Sequence, residues 1–411
     1  MRDYTPRIAF FTDSFHETNG VARTSRELAA YARAAHFPFL SVHPGPQTAH
    51  LRRGSYETFE VASSRTVLHL EHDMCFDLLF LRHLRSLRKA VAAFDPDAIH
   101  VTGPGHCGIL GALLAHESGV PMVASWHTNV HEYGARRMAN SLNRLPALWN
   151  NALSARAERW SLELAIRFYR LARMAFAPNP ELVELLRQRA GCPVHLMERG
   201  IDCQLFTPSR RLGAEDVFTI GYVGRLSAEK NVRLFAALDQ SLRQQGLTRY
   251  RFLIVGEGSE RAWLRQHLPS AELPGLLHGD ALANAYAKMD AFVFPSETDT
   301  YGNVVQEAMA SGVPCVVSAH GGPQYVIEPG QTGFVARDLK AYTSAVLHLA
   351  SDAGLQSRMS LAAREAALLR GWSAVFDRLY AAYRAGFQSG LLRPSTGRNQ
   401  RPVMPRRPRT A

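Results

Sequence analysis

The chain has 411 residues, of which 46% are hydrophobic and 20% charged. That balance excludes a globally disordered polymer and supplies enough chain for two α/β cores of about 180 residues each, with a cleft between them. The formal net charge is +11, but residues 391–411 hold six arginines (393, 398, 401, 406, 407 and 409) and no acid, which leaves +5 for the rest.

Met1-Arg-Asp-Tyr-Thr-Pro runs straight into Ile8-Ala-Phe-Phe, a strand-like segment, so no signal peptide is expected. No apolar run approaches the roughly 18 to 20 residues that cross a bilayer. Short apolar runs then alternate with longer helical patterns, the rhythm of βαβ units around parallel sheets buried on both faces. In the first half Ile8-Ala-Phe-Phe, Ala98-Ile-His-Val and Pro121-Met-Val-Ala-Ser read as strands. They end in Thr12 to Gly20, Thr102-Gly-Pro-Gly-His106 and Trp126-His-Thr-Asn129. Ligands of open α/β sheets bind on loops at the carboxyl ends of strands, so all three loops are site candidates. Between the first two strands, Leu78 to Lys89 carries Arg82, Arg85, Arg88 and Lys89 on an apolar repeat. It predicts a basic amphipathic helix able to lie on anionic lipid, or equally a Rossmann helix with an apolar inner face.

Gly191-Cys-Pro and the stretch from Gly200-Ile-Asp to Pro208 break any helix and put the linker near 195–210. The rhythm restarts with Phe218-Thr-Ile-Gly-Tyr-Val, Phe252-Leu-Ile-Val, Ala291-Phe-Val-Phe and Cys315-Val-Val. From about 355 to 389 the pattern is helical, with Trp372, Phe376, Leu379, Tyr380 and Tyr383 on spaced apolar positions that fit a helix reaching back across the cleft. The predicted organisation is an N-terminal unit at 1–200, a C-terminal unit at 201–370, a crossing helix at 371–390 and a disordered basic tail at 391–411. Five scattered cysteines, Cys75, Cys107, Cys192, Cys203 and Cys315, without a Cys-x-x-Cys pair, fit a reducing cytoplasm.

Two segments carry the chemistry. A strand meets Gly224-Arg225-Leu-Ser-Ala-Glu-Lys230, where two cations at a predicted helix start suit a diphosphate and the charge that builds on it as its bond to a sugar breaks. Phe294-Pro-Ser-Glu-Thr-Asp-Thr-Tyr-Gly-Asn leads from another strand into a helix whose free N–H groups suit phosphate and sugar hydroxyls. Glu307 follows among Val305, Ala308 and Met309, where a carboxylate needs hydrogen-bond donors such as ribose hydroxyls.

Gly-Arg-x4-Lys, the acid-x7-Glu spacing from Asp299 to Glu307, and the Gly312-Val-Pro and Gly321-Gly segments together resemble the retaining glycosyltransferases of family 4. The likeness extends to Asn19-Gly-Val-Ala-Arg-Thr, Trp126-His127-Thr-Asn and Arg199-Gly-Ile-Asp, and covers nearly the whole chain. It is nearest to the glycolipid-making branch of GDP-mannose-dependent mannosyltransferases and sulfoquinovosyl transferases. The resemblance implies the GT-B fold, two Rossmann-like domains facing across a cleft. It implies that Arg225 and Lys230 grip the donor diphosphate, Glu307 the ribose, and the backbone of Thr300, Tyr301, Gly302 and Asn303 the sugar and phosphates. Gly20 would approach the phosphates from the opposite domain, His127 would contact the transferred sugar, and Asp299 would accept its hydroxyls. The commoner family residue at that last position is Glu; here Glu297 lies two residues earlier.

The implied reaction moves a hexose, from GDP-mannose or alternatively a UDP-hexose, to a lipid or envelope glycan with retention of configuration. No metal or other cofactor is expected, because Asp280 and Asp290 lack metal-ligand spacing and cationic side chains can take the metal's place. A cytoplasmic enzyme, peripheral on the inner membrane face through its basic stretches, fits these features, and no nucleic-acid partner is expected. The alternatives are a non-catalytic nucleotide-sugar or membrane-lipid binding protein, and a nicotinamide oxidoreductase. The only fingerprint for the last, Gly256-Glu-Gly258-Ser-Glu-Arg261, lacks its third glycine.

Overall fold

The computed structural model describes residues 4–17, 19–64, 67–71, 74–127, 147–211, 213 and 217–393. Ten strands precede the linker: β1 (Ile8–Phe11), β2 (Phe39–Gly45), β3 (Ala49–Arg53), β4 (Tyr56–Ala62), β5 (Val67–Glu71), β6 (Met74–Asp77), β7 (Ala98–Val101), β8 (Met122–Ser125), β9 (Met174–Ala177) and β10 (Val194–Leu196). Eight of them form one sheet in the order β10-β9-β8-β7-β1-β2-β4-β3, parallel throughout except for the β3–β4 hairpin. After the linker β11 (Phe218–Val223), β12 (Tyr250–Val255), β13 (Glu272–Gly275), β14 (Ala291–Phe294), β15 (Cys315–Ser318) and β16 (Gly333–Ala336) form a second, wholly parallel sheet, ordered β13-β12-β11-β14-β15-β16.

Both sheets are open and helix-covered because their central strands are apolar on both faces. Ile220, Tyr222, Phe252, Ile254, Phe292 and Val316 are all fully buried, and each large side chain withdrawn from water contributes about 1.5–3 kcal/mol. Helix ends are set locally. Asn19 and Asn179 cap the helices Gly20–Ala34 and Pro180–Ala190 through their side-chain oxygens, and left-handed Gly191 and Gly119 end the second of these and the helix His106–Ser118.

The chain crosses between the units twice, at one place. Ile201 pairs with Gly371, and its N–H donates to Arg370 O at 3.1 Å. The helical pattern expected from 355 to 389 is two helices, Ala353–Leu368 and Trp372–Gln388, broken at that crossing. The second lies on the N-terminal unit, with Val375, Phe376, Leu379, Tyr380 and Tyr383 buried against Ile8, Phe10, Leu28 and Phe39. Packing continues to Leu392, which is fully buried beside Gly386, so the packed chain runs past the boundary expected at 391. The rest of the basic tail, 394–411, lies outside the described residues. The basic segment from Leu78 is a 3₁₀ turn (Phe80–His83) and a helix (Leu84–Phe94) that buries Leu87, Ala90, Val91 and Phe94 in the N-terminal core. No helix among the described residues is long and apolar enough to cross a membrane.

Candidate functional site

Each sheet has one place where neighbouring strands are built in opposite directions along the chain: between β11 and β14 in the second, between β1 and β7 in the first. Loops leaving the carboxyl ends of such strands splay apart and leave a crevice. In the C-terminal unit they are residues 224–230 and 295–302; in the N-terminal unit they are the segments after Phe11 and Val101, with the loop after Ser125 next to them.

The first C-terminal loop differs from expectation in one respect. A single 3₁₀ turn, Ala228–Lys230, and left-handed Asn231 intervene before the helix Leu234–Gln244, so the two cations do not sit on that helix's first turn. Lys230 extends inward: its side chain is 14% exposed and Nζ donates to Asp299 Oδ2 at 2.8 Å. Arg225 stands apart. Its guanidinium is 54% exposed and 3.9 Å from Glu229.

The second loop turns through Gly302, whose φ of 95° puts it in the left-handed region, with Pro323 Cγ only 3.1 Å from where a Cβ would lie. Gly302 supplies no side-chain cap to the helix Asn303–Ala310, so N–H groups at its start are left for another acceptor. One turn on, Glu307 is 6% exposed. Burial raises its carboxyl pKa, and the Arg23 charge opposes that shift. Its two oxygens accept Arg23 Nη1 at 2.6 Å and Tyr286 Oη at 3.0 Å. The donors expected for this carboxylate were ribose hydroxyls; in the structure two side chains of the same chain, one from each unit, donate to it.

The same loop ties the units together. Thr300 Oγ1 donates to His127 O at 3.2 Å, Asn179 Nδ2 donates to Thr300 O at 2.7 Å, and buried Tyr301 accepts from Gln306 Nε2 at 2.8 Å. A Cβ at Gly20 would sit 2.7 Å from Asn303 Nδ2, so the start of the N-terminal unit's first helix comes close to the start of the helix that carries Glu307. His127 is 6% exposed, and Ser125 Oγ lies 2.6 Å from its Nε2, while Nδ1 has no partner among the described residues. Burial, then the nearby Arg199 charge, lowers its pKa well below the usual histidine range, so the ring is neutral. Thr128 and Asn129, which follow it in the sequence motif, lie outside the described residues. Lys230, Asp299, Thr300, His127, Asn303 and Gly20 are thus linked around one crevice, with Glu307 one turn behind Asn303.

Residues 18–205 match the family described as Glycosyltransferase Family 4, and residues 217–352 match Glycosyl transferases group 1. The chain is 35% identical over 315 residues to a GDP-mannose-dependent alpha-mannosyltransferase of Mycobacterium tuberculosis, covering 74% of this chain and 76% of that one. The chain is a family 4 glycosyltransferase. It is also 30% identical over 310 residues to the sulfoquinovosyl transferase SQD2 of Arabidopsis thaliana, covering 70% of the transferase and 56% of that relative. Its fold is that of sucrose-phosphate synthase from Thermosynechococcus elongatus, with a TM-score of 0.67, 18% identity, and coverage of 93% of the transferase and 100% of that structure. The two facing Rossmann-like units are therefore the GT-B arrangement.

Several rival features of the transferase have structural explanations. A Cβ on Gly256 would strike Gly224 O and one on Gly258 would strike Leu226 O, so the incomplete dinucleotide fingerprint lets one loop pack beneath the Arg225 loop. Asp280 pairs with Arg210 at 2.7 Å and Asp290 with Arg211 at 2.8 Å. Among the described residues, Asp13, His106 and Cys107, and His16, His43 and Glu60, lie close enough to share a cation; both groups are in the N-terminal unit. Asp13 already accepts Cys107 N at 2.7 Å at the start of the helix His106–Ser118.

Sequence reasoning missed Arg23, Asn179 and Tyr286, and gave Arg199 no role. Arg23 lay within the quoted Asn19 motif, three residues past Gly20. Asn179 resembles any helix cap, and Tyr286 any core aromatic. Arg199 is 4% exposed, and its guanidinium donates to Met197 O and Trp126 O at 3.4 and 3.3 Å. Burial lowers its pKa to about 10.

Proposed function

We propose that this transferase moves a hexose, with GDP-mannose as its first donor and a UDP-hexose as the alternative, to a lipid or envelope glycan, with retention of configuration and without a metal ion. The observation that carries the site assignment is the Lys230–Asp299 pair at the strand switch point, beside an uncapped helix start and one turn from buried Glu307. The mannose preference rests on the GDP-mannose-dependent relative.

In this reading the donor diphosphate takes the place of the Asp299 carboxylate on Lys230, and Arg225 swings in from solvent to share it. The ribose hydroxyls compete with Arg23 for Glu307, and Asp299, released from Lys230, accepts sugar hydroxyls. Gly20 leaves room for the phosphates, and the N–H groups from Thr300 to Asn303 take phosphate and sugar oxygens. As the anomeric bond breaks, charge grows on the leaving phosphate, where two cations stabilise it more than they stabilise the intact donor. The leaving oxygen accepts the acceptor's proton on the same face, which retains configuration.

The test is transfer from a panel of nucleotide sugars to membrane lipid extract, with and without EDTA, the product anomer being read by NMR. An α-mannoside formed equally in EDTA supports the proposal; inversion, or activity abolished by the chelator, contradicts it. For the acceptor side, Leu78, Leu79 and Leu81 stand more than half exposed beside Arg85 and Lys89, whereas Arg82 and Arg88 are paired with Asp77 and Glu117. Exposed apolar side chains on a segment that also carries cations support docking on an anionic bilayer. Flotation with phosphatidylglycerol vesicles should recover the protein; failure to float would remove the membrane element.

A further inference from the structure

Behind His127 a chain of hydrogen bonds runs through the core of the N-terminal unit to the helix that crosses back from the C-terminal one. Ser125 Oγ lies 2.6 Å from His127 Nε2 and 2.9 Å from His100 Nε2, and His100 Nδ1 is hydrogen-bonded to Tyr383 Oη. Tyr383, His100 and Ser125 are each at most 1% exposed. Family membership does not explain the chain, and packing alone would be met as well by apolar side chains.

We infer that Tyr383, His100 and Ser125 are positioning residues that fix His127 in the tautomer with its proton on Nδ1, so that it donates a hydrogen bond to an oxygen of the transferred sugar. The inference rests on the reading of His127 as the sugar contact.

The argument is a count of protons. His100 lies edge-on to Phe10 and stacks near Phe176, at centroid distances of 5.3 and 5.9 Å, and full burial holds its pKa down at about 3, so it is a neutral imidazole with one N–H. Both of its nitrogens are engaged, so one donates and the other accepts. The serine hydroxyl has one proton and stands between two histidine nitrogens, so it receives from one and donates to the other.

Two directions satisfy these rules. In the first, Tyr383 donates to His100 Nδ1, His100 Nε2–H donates to Ser125, and Ser125 donates to His127 Nε2. In the second, every bond reverses, and the Tyr383 hydroxyl proton is left without an acceptor at 1% exposure among the described residues. Buried donors are rarely left unpaired, because they have given up water without replacement. The first direction pairs every proton of Tyr383, His100 and Ser125 and leaves one donor, His127 Nδ1–H, at the end nearest the loop assigned to the sugar, where a sugar oxygen can accept it.

It leaves His127 with its proton on Nδ1, the nitrogen that is buried and without a partner among the described residues. The same residue's carbonyl accepts Thr300 Oγ1, which puts it against the loop assigned to the donor sugar. A neutral imidazole with a fixed N–H is a donor and cannot serve as a base through that nitrogen. Its role is to orient a hydroxyl or ring oxygen of the sugar, while proton transfer is left to the leaving phosphate. The crossing helix thereby supplies, through Tyr383, the first donor of a relay that ends at the sugar.

The direct test is long-range ¹H–¹⁵N correlation NMR on the full chain labelled with [¹⁵N]histidine, with His127→Asn used to assign the signals. His127 should be found as the Nδ1–H tautomer in the wild type, and as a mixture in Tyr383→Phe, which deletes only the far hydroxyl. An Nε2–H or doubly protonated ring in the wild type, or an unchanged tautomer in Tyr383→Phe, would overturn the inference. Kinetically, Ser125→Ala should lower kcat about 100-fold and Tyr383→Phe about tenfold, with the acceptor KM unchanged and with Ser125→Thr recovering most of the loss. Equal melting temperatures would separate these effects from misfolding. If the wild type turns over no nucleotide sugar, the proposed function fails while the NMR measurement still decides the tautomer.

Discussion

The two walls of the cleft hold their ligand groups by opposite means. On the C-terminal wall the groups are charged and already paired: Lys230 holds Asp299, and Glu307 holds Arg23 from across the cleft. On the N-terminal wall they are neutral, buried and linked in series from Tyr383 to His127. The charged wall can exchange an internal carboxylate for a donor phosphate at little net cost, since one ion pair replaces another in a half-screened setting. The neutral wall has no such exchange available; it is rigid before the ligand arrives, and its contribution is direction rather than charge.

Mutations separate the walls. The largest effect is expected from Lys230→Ala, which removes the cation proposed to face the departing phosphate. Turnover should fall about 1,000-fold at saturating donor, and activity within tenfold of wild type would break the distinction between the walls. Next comes Glu307→Gln, which keeps the shape but removes the charge opposite Arg23. Donor KM should rise about 100-fold with kcat less affected, because the proposed ribose contact would be made in ground state and transition state alike. A loss confined to kcat would move Glu307 from binding to chemistry.

The smallest effect concerns stability and belongs to the neutral wall. Burial holds His100 at a pKa of about 3 and His43 at about 4, and lowers that of His127 as well. Each is neutral in the folded protein at pH 7. As pH falls below about 6.5 the unfolded chain takes up protons at these sites while the folded chain does not, so stability is full above that pH and lost on the way down. The melting temperature should be level from pH 8 to 7 and drop by a few degrees by pH 5.5. A constant or rising melting temperature over that interval would show that these rings are not held neutral.

Lys230 and Glu307 of the charged wall were legible in the residues themselves, whereas of the neutral wall only His127 was named, through the family resemblance, for a physical reason. Cations next to glycine after a strand, and a carboxylate on an apolar helix, violate local expectation, so Lys230 and Glu307 stood out, while Asp299 entered only through its spacing from Glu307 in the family resemblance. His100 on β7, Ser125 on β8 and Tyr383 on the last helix each fit their own element as packing residues; only the sheet order and the return of the chain bring them into one line. The same holds for Arg23 and Tyr286, whose meaning depends on a carboxylate roughly 20 or more residues away in the chain. The overall architecture was readable because strand and helix alternate with clear breaks. The 3₁₀ turn at Ala228–Lys230 was not, since nothing in those residues separates it from the helix that begins at Leu234.

The most direct test of the account is calorimetric titration of GDP-mannose, with UDP-glucose in parallel, into the wild type and Lys230→Ala. One of the two donors should bind the wild type and bind the variant about 100-fold more weakly, as expected for loss of a charge-assisted contact to phosphate. Equal affinity in the two proteins, or no binding of either donor to the wild type, would contradict it.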